Sequence, residues 1–423
     1  MDLLDDNDIR SLSELLRQNA ADEKYLVSDL VLSQDGKTLQ FVDLVMEGGG
    51  TLGIALVGYI YALEQAGIRF LSVGGSSVGA IVALLLSCLG SRTEEKGAAL
   101  TQLISDMDMS SFIDGNVFAR ALSKLLGSGK AGKKKLRLIL FAVLSSRSLI
   151  KKLGLNPGDN FLKWLTECLE KSGCCTMKDA RKVIEYVPDE MVHRIHGKSF
   201  AKPSASLKIV AADITTSSKA IFPEMAPLYW EDTDTINPAY FARASMSIPA
   251  FFQPMEVYGI SEISDVSDKW KNLCSFEGEI PDKITFTDGG LLSNFPISIF
   301  HKLRVPNAPT FGARLGSYPR VVNEVSTIGD YAGKLFEALS HYADFEFIYK
   351  NPDYSRLITY IPTSGHSWLN FHMSGEEKRE LFLSGMNAAY EFLETFDWLS
   401  YKAIRREQLA LDLSLARYRK VKS

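Results

Sequence analysis

Apolar residues fall into two kinds of block along this chain: short, nearly continuous runs, and stretches where they recur every three or four positions. Leu39 to Met46, "LQFVDLVM", is mostly apolar and β-prone, which predicts a buried strand. After "EGGGTLG" comes "IALVGYIYALEQAG", whose apolar period is helical and which ends on Gly67. "IRFLSV" predicts a second short strand, and a glycine–serine turn leads from it into an apolar helix over Val78–Leu89. Strands that alternate with helices imply a parallel sheet covered by helices.

Residues 1–35 pattern as an amphipathic helical lead-in with a polar turn at "SQDGK", and residues 92–200 read as mostly helical. Strand signals return at "SLKIVAADITT", "KAIFPEM", "ITFTDGG" and "SRLITYIPT". "PAYFARASMSIPAFFQPMEV" reads as a short helix running into a proline-broken loop. Ser374 with Glu377 three residues on is a capping box, so a helix is predicted to start there. The last stretch, ending "ARYRKVKS", reads as a basic helical tail. Three segments follow: a lead-in over 1–38, a main domain over 39–390 with a helical insertion at about 92–200, and a tail over 391–423.

Phe70 to Ser91 holds no charged residue and is long enough to span a bilayer. Its Gly-Gly-Ser-Ser break argues instead for a buried strand–turn–helix. The acidic N-terminus lacks an apolar core, so no signal peptide is expected. Five cysteines without a CxxC spacing fit reduced thiols in a cytoplasmic setting, although export by a non-classical route would suit the same pattern. The formal net charge of −4 gives no global pull toward nucleic acid or anionic membrane, so any basic site must be local.

One local asymmetry is strong. No acidic residue lies between Asp114 and Asp159, where Lys133, Lys134, Lys135 and Arg137 sit among six further basic residues around the apolar "LRLILFAVL". A solvated helix face explains this pattern, and so does an interfacial patch that meets anionic headgroups.

The break in the apolar run carries the chemistry. "GSSVG" fits Gly-x-Ser-x-Gly, a sharp strand-to-helix turn that lifts a serine hydroxyl clear of the sheet. Register selects Ser77, which has Gly75 two before and Gly79 two after, because Ser76 would need glycine at 78 and that residue is Val78. The helix that follows aims its positive end at Ser77. "EGGGTLG", Glu47 to Gly53, also joins a strand to a helix. It fits Gly48-x-Gly50-x-x-Gly53, so a dinucleotide turn stays open on this cluster alone. Consecutive unshielded glycine amides also suit an oxyanion hole, and the serine turn just downstream favours that use.

The base is harder to find. Among His193, His196, His301, His341, His366 and His372, only His366 lies late enough and in a loop-like setting for a Ser-His-Asp arrangement. Asp288, in "TDGGLLSNFP", follows a strand and precedes Gly289 and Gly290, which places a carboxylate at a strand end. An Asp-Gly pair also simply makes turns.

"EGGGTLG" (47–53), "GSSVG" (75–79) and "DGG" (288–290), in that order, together resemble the patatin-like phospholipase family. "ARASMSIPAFFQP" (242–254), "VAADITTSSKAIF" (210–222) and "LNPGDNFLKWL" (155–165) resemble further segments of it, and the resemblance covers about 39–390. It implies a three-layer α/β/α sandwich with a mostly parallel central sheet, here with extra helices at both termini and a helical cap. It implies hydrolysis of lipid acyl esters by a Ser–Asp dyad without histidine, with Ser77 as nucleophile, Asp288 as base and Gly48, Gly49 and Gly50 as oxyanion hole. No cofactor, metal or nucleic acid is implied. The implied partner is a lipid substrate at a membrane surface, reached by peripheral association, with room for a protein activator. One position departs: where the family's glycine loop has Lys or Arg, this chain has Leu52. Arg243 is the first candidate to supply a replacement cation. Leu52 also favours a second reading, a weakly active or partner-gated lipid-binding module. A third is acyl transfer by the same dyad.

Overall fold

A computed structural model describes residues 3–115, 151–316, 325–326 and 328–422. Its strands are β1 (Leu30–Gln34), β2 (Lys37–Met46), β3 (Ile68–Ser76), β4 (Gly154–Asn156), β5 (Val192–His193), β6 (Leu207–Asp213), β7 (Ser218–Phe222), β8 (Ala250–Phe252), β9 (Met255–Tyr258), β10 (Lys283–Thr287), β11 (Thr310–Leu315) and β12 (Ile358–Ile361). The α-helices are α1 (Asn7–Ala21), α2 (Gly53–Gln65), α3 (Val78–Cys88), α4 (Gly97–Asp106), α5 (Asp159–Lys171), α6 (Met177–Ile184), α7 (Ala239–Ser245), α8 (Val266–Cys274), α9 (Ile328–Lys350), α10 (Gly375–Thr395) and α11 (Trp398–Lys422).

The main sheet runs β12-β11-β2-β3-β6-β10-β9. The centre, from β12 to β6, is parallel, while β10 and β9 join antiparallel at one side. All nine residues of β3 are buried, as expected of a strand covered on both faces. Neighbouring residues of β11 show the two covering layers. Phe311 packs edge-on against Phe392 of α10, while a methyl group at Gly312 would meet Phe295 and Ile297. Helix α10 packs on α2 almost backbone to backbone, because Gly58 faces the Phe382 carbonyl and Gly385 faces the Ala55 carbonyl. The architecture is therefore a mostly parallel sheet between two layers, as the sequence predicts, and the capping box of Ser374 with Glu377 starts α10.

Several elements differ from the pattern-based reading. The 1–35 segment is not helical throughout: β1 pairs antiparallel with β2, and the "polar turn" is a two-residue hairpin with Asp35 at φ 50° and Gly36 at φ 74°. A boundary at residue 38 thus cuts this hairpin, and one at 390 falls inside α10. The proline-broken loop after α7 contains β8 and β9, with β8 parallel to β4 in a small separate sheet. Within 92–200, the described residues include β4 and β5 as well as helices. Among the described residues, no helix is long and apolar enough to cross a membrane.

Candidate active site

The fold brings three strand ends to one place. Ser77 follows β3 directly and carries φ 52° and ψ −124°. A positive φ costs a non-glycine residue about 1–3 kcal/mol, so the surroundings must hold it. They do so through its amide, which donates to Ser245 Oγ at 2.9 Å, while Ser245 Oγ donates to the Val210 carbonyl at 2.6 Å. Gly75 and Gly79 are required by packing, since a Cβ on either would lie under 3 Å from the Met46 carbonyl of β2. Gly53 similarly lets the start of α2 meet Val78 at the start of α3. Ser76, the last residue of β3, is fully buried, and its hydroxyl has no hydrogen-bond partner among the described residues.

Asp288 reaches Ser77 from the opposite direction. β10 is antiparallel to β6, with Thr287 level with Ala212, and β6 runs on beyond the end of β3. The chain leaving β10 therefore arrives over the carboxyl edge of β3. Gly289 permits this approach, because a Cβ there would collide with the Val210 carbonyl and the Ser76 hydroxyl. Ser77 Oγ donates to Asp288 Oδ2 at 2.7 Å, and the Gly290 amide donates to Oδ1 at 2.7 Å. The Asp288 amide is itself tied to the Ser247 carbonyl at 2.9 Å. Burial pushes the Asp288 carboxyl up to about 6, against the downward pull of the Ser77 and Gly290 hydrogen bonds. A carboxylate of that strength is ionised at neutral pH and basic enough to share a proton with a serine.

The glycine loop lies alongside. A Cβ on Gly48 would be 3.0 Å from Ser77 Cβ. The Gly48 amide is already committed, donating to the Asn294 carbonyl at 2.9 Å, and the Thr51 amide donates to the Trp368 carbonyl at 2.9 Å. The Gly49 and Gly50 amides have no acceptor among the described residues. Gly50 sits at φ 54°, pressed against Trp368. Of the three glycines, the last two therefore offer free donors. Their neighbours open into a cavity of about 60 Å³ lined by Ser77, Val78, Ile81, Met109, Phe112 and Phe252, among other almost wholly apolar residues.

The model of the family described as patatin-like phospholipase matches residues 44–301, which span β2, the elbow and Asp288. The chain belongs to the patatin-like phospholipase family. An uncharacterized protein of Bacillus subtilis, YqhO, is 26% identical over 85% of this chain and all of its own length. Lysophospholipase NTE1 of Debaryomyces hansenii is 33% identical over 100 residues, 21% of this chain and 6% of that much longer one. Among solved structures, VipD from Legionella pneumophila aligns with a TM-score of 0.42 at 15% identity, covering 88% of this chain and 71% of its own. The ExoU–SpcU complex from Pseudomonas aeruginosa aligns at 0.36 with 17% identity, covering 90% and 60%.

The remaining residues singled out by sequence are not brought to this site. Leu52 is buried in the core. Arg243 does not replace it. Its guanidinium is spent on Ser247 Oγ at 2.6 Å and on the carbonyls of Pro157 and Gln253 at 2.6 and 2.9 Å, stapling α7 to the segments around β4 and β8. His366 pairs with Glu380 at 3.3 Å, and no histidine bonds Ser77 or Asp288 among the described residues. Lys133, Lys134, Lys135 and Arg137 lie outside the described residues. The sequence reading missed Ser245 and Asn294. Asn294 follows the "DGG" turn by four residues, and Ser245 lies in the quoted "ARAS" segment, but nothing in either context signals a bond to an elbow or a glycine loop.

Proposed function

We propose that this protein is a lipid acyl hydrolase of the phospholipase A or lysophospholipase type, with Ser77 as nucleophile and Asp288 as base. The observation that carries the reading is the 2.7 Å Ser77–Asp288 hydrogen bond at the mouth of an apolar cavity. Asp288 Oδ2 takes the hydroxyl proton as Ser77 Oγ attacks the ester carbonyl carbon. The electron pair moves to the carbonyl oxygen, which the Gly49 and Gly50 amides receive. The intermediate collapses, the alcohol or lysolipid leaves with the proton from Asp288, and the fatty acyl group stays on Ser77. Water, deprotonated by Asp288, then releases the fatty acid and restores the serine. The start of α3, aimed at Ser77, favours each negatively charged stage.

The cavity supports an acyl chain as the bound group, and the local likeness to a lysophospholipase supports an ester of a phospholipid. Peripheral contact with anionic membrane through Lys133, Lys134, Lys135 and Arg137 belongs to the same proposal. Reversing those lysines to glutamate should weaken binding to anionic vesicles; unchanged binding refutes that part. The central test profiles fatty-acid release from defined phospholipids and lysophospholipids by wild type and Ser77→Ala, alongside labelling by a fluorophosphonate probe. Labelled wild type, an unlabelled variant and free fatty acid only from wild type are expected. Release undiminished in Ser77→Ala would sink the reading, and acyl transfer to an added alcohol in place of free acid would redirect it to an acyltransferase.

A further inference from the structure

The glycine loop begins on a buried ion pair that the hydrolytic scheme leaves without a role. Glu47 is 2% exposed. Its Oε1 accepts from Arg314 Nε at 3.0 Å, and its Oε2 accepts from the Leu315 amide at 2.7 Å. The Glu47 amide donates to the Ala313 carbonyl at 3.0 Å, so backbone and side chain both bind the start of the loop to the end of β11. Arg314 is held in turn by aromatic faces, with its guanidinium 4.6 Å from the Phe345 ring and 5.7 Å from those of Phe295 and Tyr360. His341 of α9 stands beside both, 3.4 Å from Arg314 Nη2 and 3.8 Å from Glu47 Oε1.

The pair is costly to keep as mere support. Burial pushes the Glu47 carboxyl up to about 7 even against the lowering pull of the Arg314 charge and the Leu315 amide. Replacing such a pair with apolar residues is often neutral or stabilising. Its position suggests what it is for. Leu315, whose amide Glu47 holds, is the side chain that a Cβ on Gly49 would strike. Glu47 precedes Gly48, whose own amide is locked to Asn294. One carboxylate therefore fixes both the origin of the loop and the side chain against which Gly49 rests.

We propose that Glu47 and Arg314 are positioning residues that aim the free Gly49 and Gly50 amides at the oxyanion formed on Ser77. The inference rests on the hydrolase reading above. Two donors, Arg314 Nε and the Leu315 amide, converge on Glu47. A glutamine fills the same volume but turns an N–H toward one of them, so the loop shifts without leaving a hole.

Glu47→Gln is expected to lower kcat on the order of 100-fold with KM for a short-chain ester nearly unchanged. It should weaken a trifluoromethyl ketone inhibitor, whose adduct with serine carries the oxyanion, by a similar factor. Binding of a non-hydrolysable ether lipid should hardly move, while the melting temperature falls because the buried Arg314 loses its counter-charge. Arg314→Lys should do the same to a lesser degree, and the double variant should be no worse than Glu47→Gln alone. If Ser77→Ala is inactive while Glu47→Gln stays within twofold of wild type in kcat and in ketone affinity, this inference fails and the hydrolase reading stands. If Ser77→Ala hydrolyses normally, the hydrolase reading fails first. A loss of ether-lipid affinity in step with kcat would mark the pair as structural only and also overturn the inference.

Discussion

The polar side of the Ser77 cavity and its apolar side are built by opposite means. On the polar side four parts are held by directed hydrogen bonds to residues far away in the chain: Ser77 to Asp288, the Ser77 amide to Ser245, Gly48 to Asn294 and Glu47 to Arg314. On the apolar side Ile81, Ile104, Met107, Met109, Phe112 and Phe252 are placed by volume, with two methionines that adapt to irregular space. The polar side should therefore fail sharply when one atom is changed, and the apolar side should yield gradually.

Four experiments press on that contrast, from the largest effect to the smallest. Asp288→Asn keeps the shape and removes the proposed base, so kcat should fall on the order of 10³-fold or more while the melting temperature holds; a loss under tenfold would mean another group takes the proton. Gly50→Ala puts a Cβ on the Trp368 carbonyl at a positive φ, which should displace the loop and lower kcat about 100-fold. The pH profile comes next. In the proposed scheme Asp288 must be ionised to accept the Ser77 proton, and its carboxyl is raised to about 6. As pH falls through that value the competent fraction shrinks, so kcat/KM at pH 5 should be about tenfold below its plateau. A profile flat from pH 5 to 8 would contradict the buried base. On the apolar side, Met109→Trp should shift selectivity toward shorter acyl chains by roughly fivefold to tenfold while leaving short-ester turnover nearly intact. Collapse of all activity there would erase the distinction between the two sides.

The chain itself announces the parts of this site that are local. The elbow and the glycine loop are legible because each lies between an apolar strand and an apolar helix, and register alone separates Ser77 from Ser76. The parts that come from tertiary pairing are not. β11, "TFGARL", reads poorly as a buried strand because it holds Gly312 and Arg314, yet both are explained by what they meet: Phe295 and Ile297 for the glycine, Glu47 for the arginine. β1 was hidden by an Asp-Gly turn that also reads as a helix-following loop, and β8 and β9 by Pro254 between them. Free and committed amides in "GGG" are indistinguishable in sequence, since only Asn294 decides between them.

The backbone contact of Gly58 with Phe382 and of Gly385 with Ala55 bears on how the molecule can be dissected. The matched family region ends at residue 301. A fragment trimmed to that limit would retain Ser77, Asp288 and all three loop glycines. It would lose Arg314, Trp368 and the helix on which α2 rests. Such a minimal piece would carry the proposed reactive groups and Asn294 but lose the β11 and Trp368 contacts of the loop, so the folded unit is larger than its family signature by the whole span from β11 to α10.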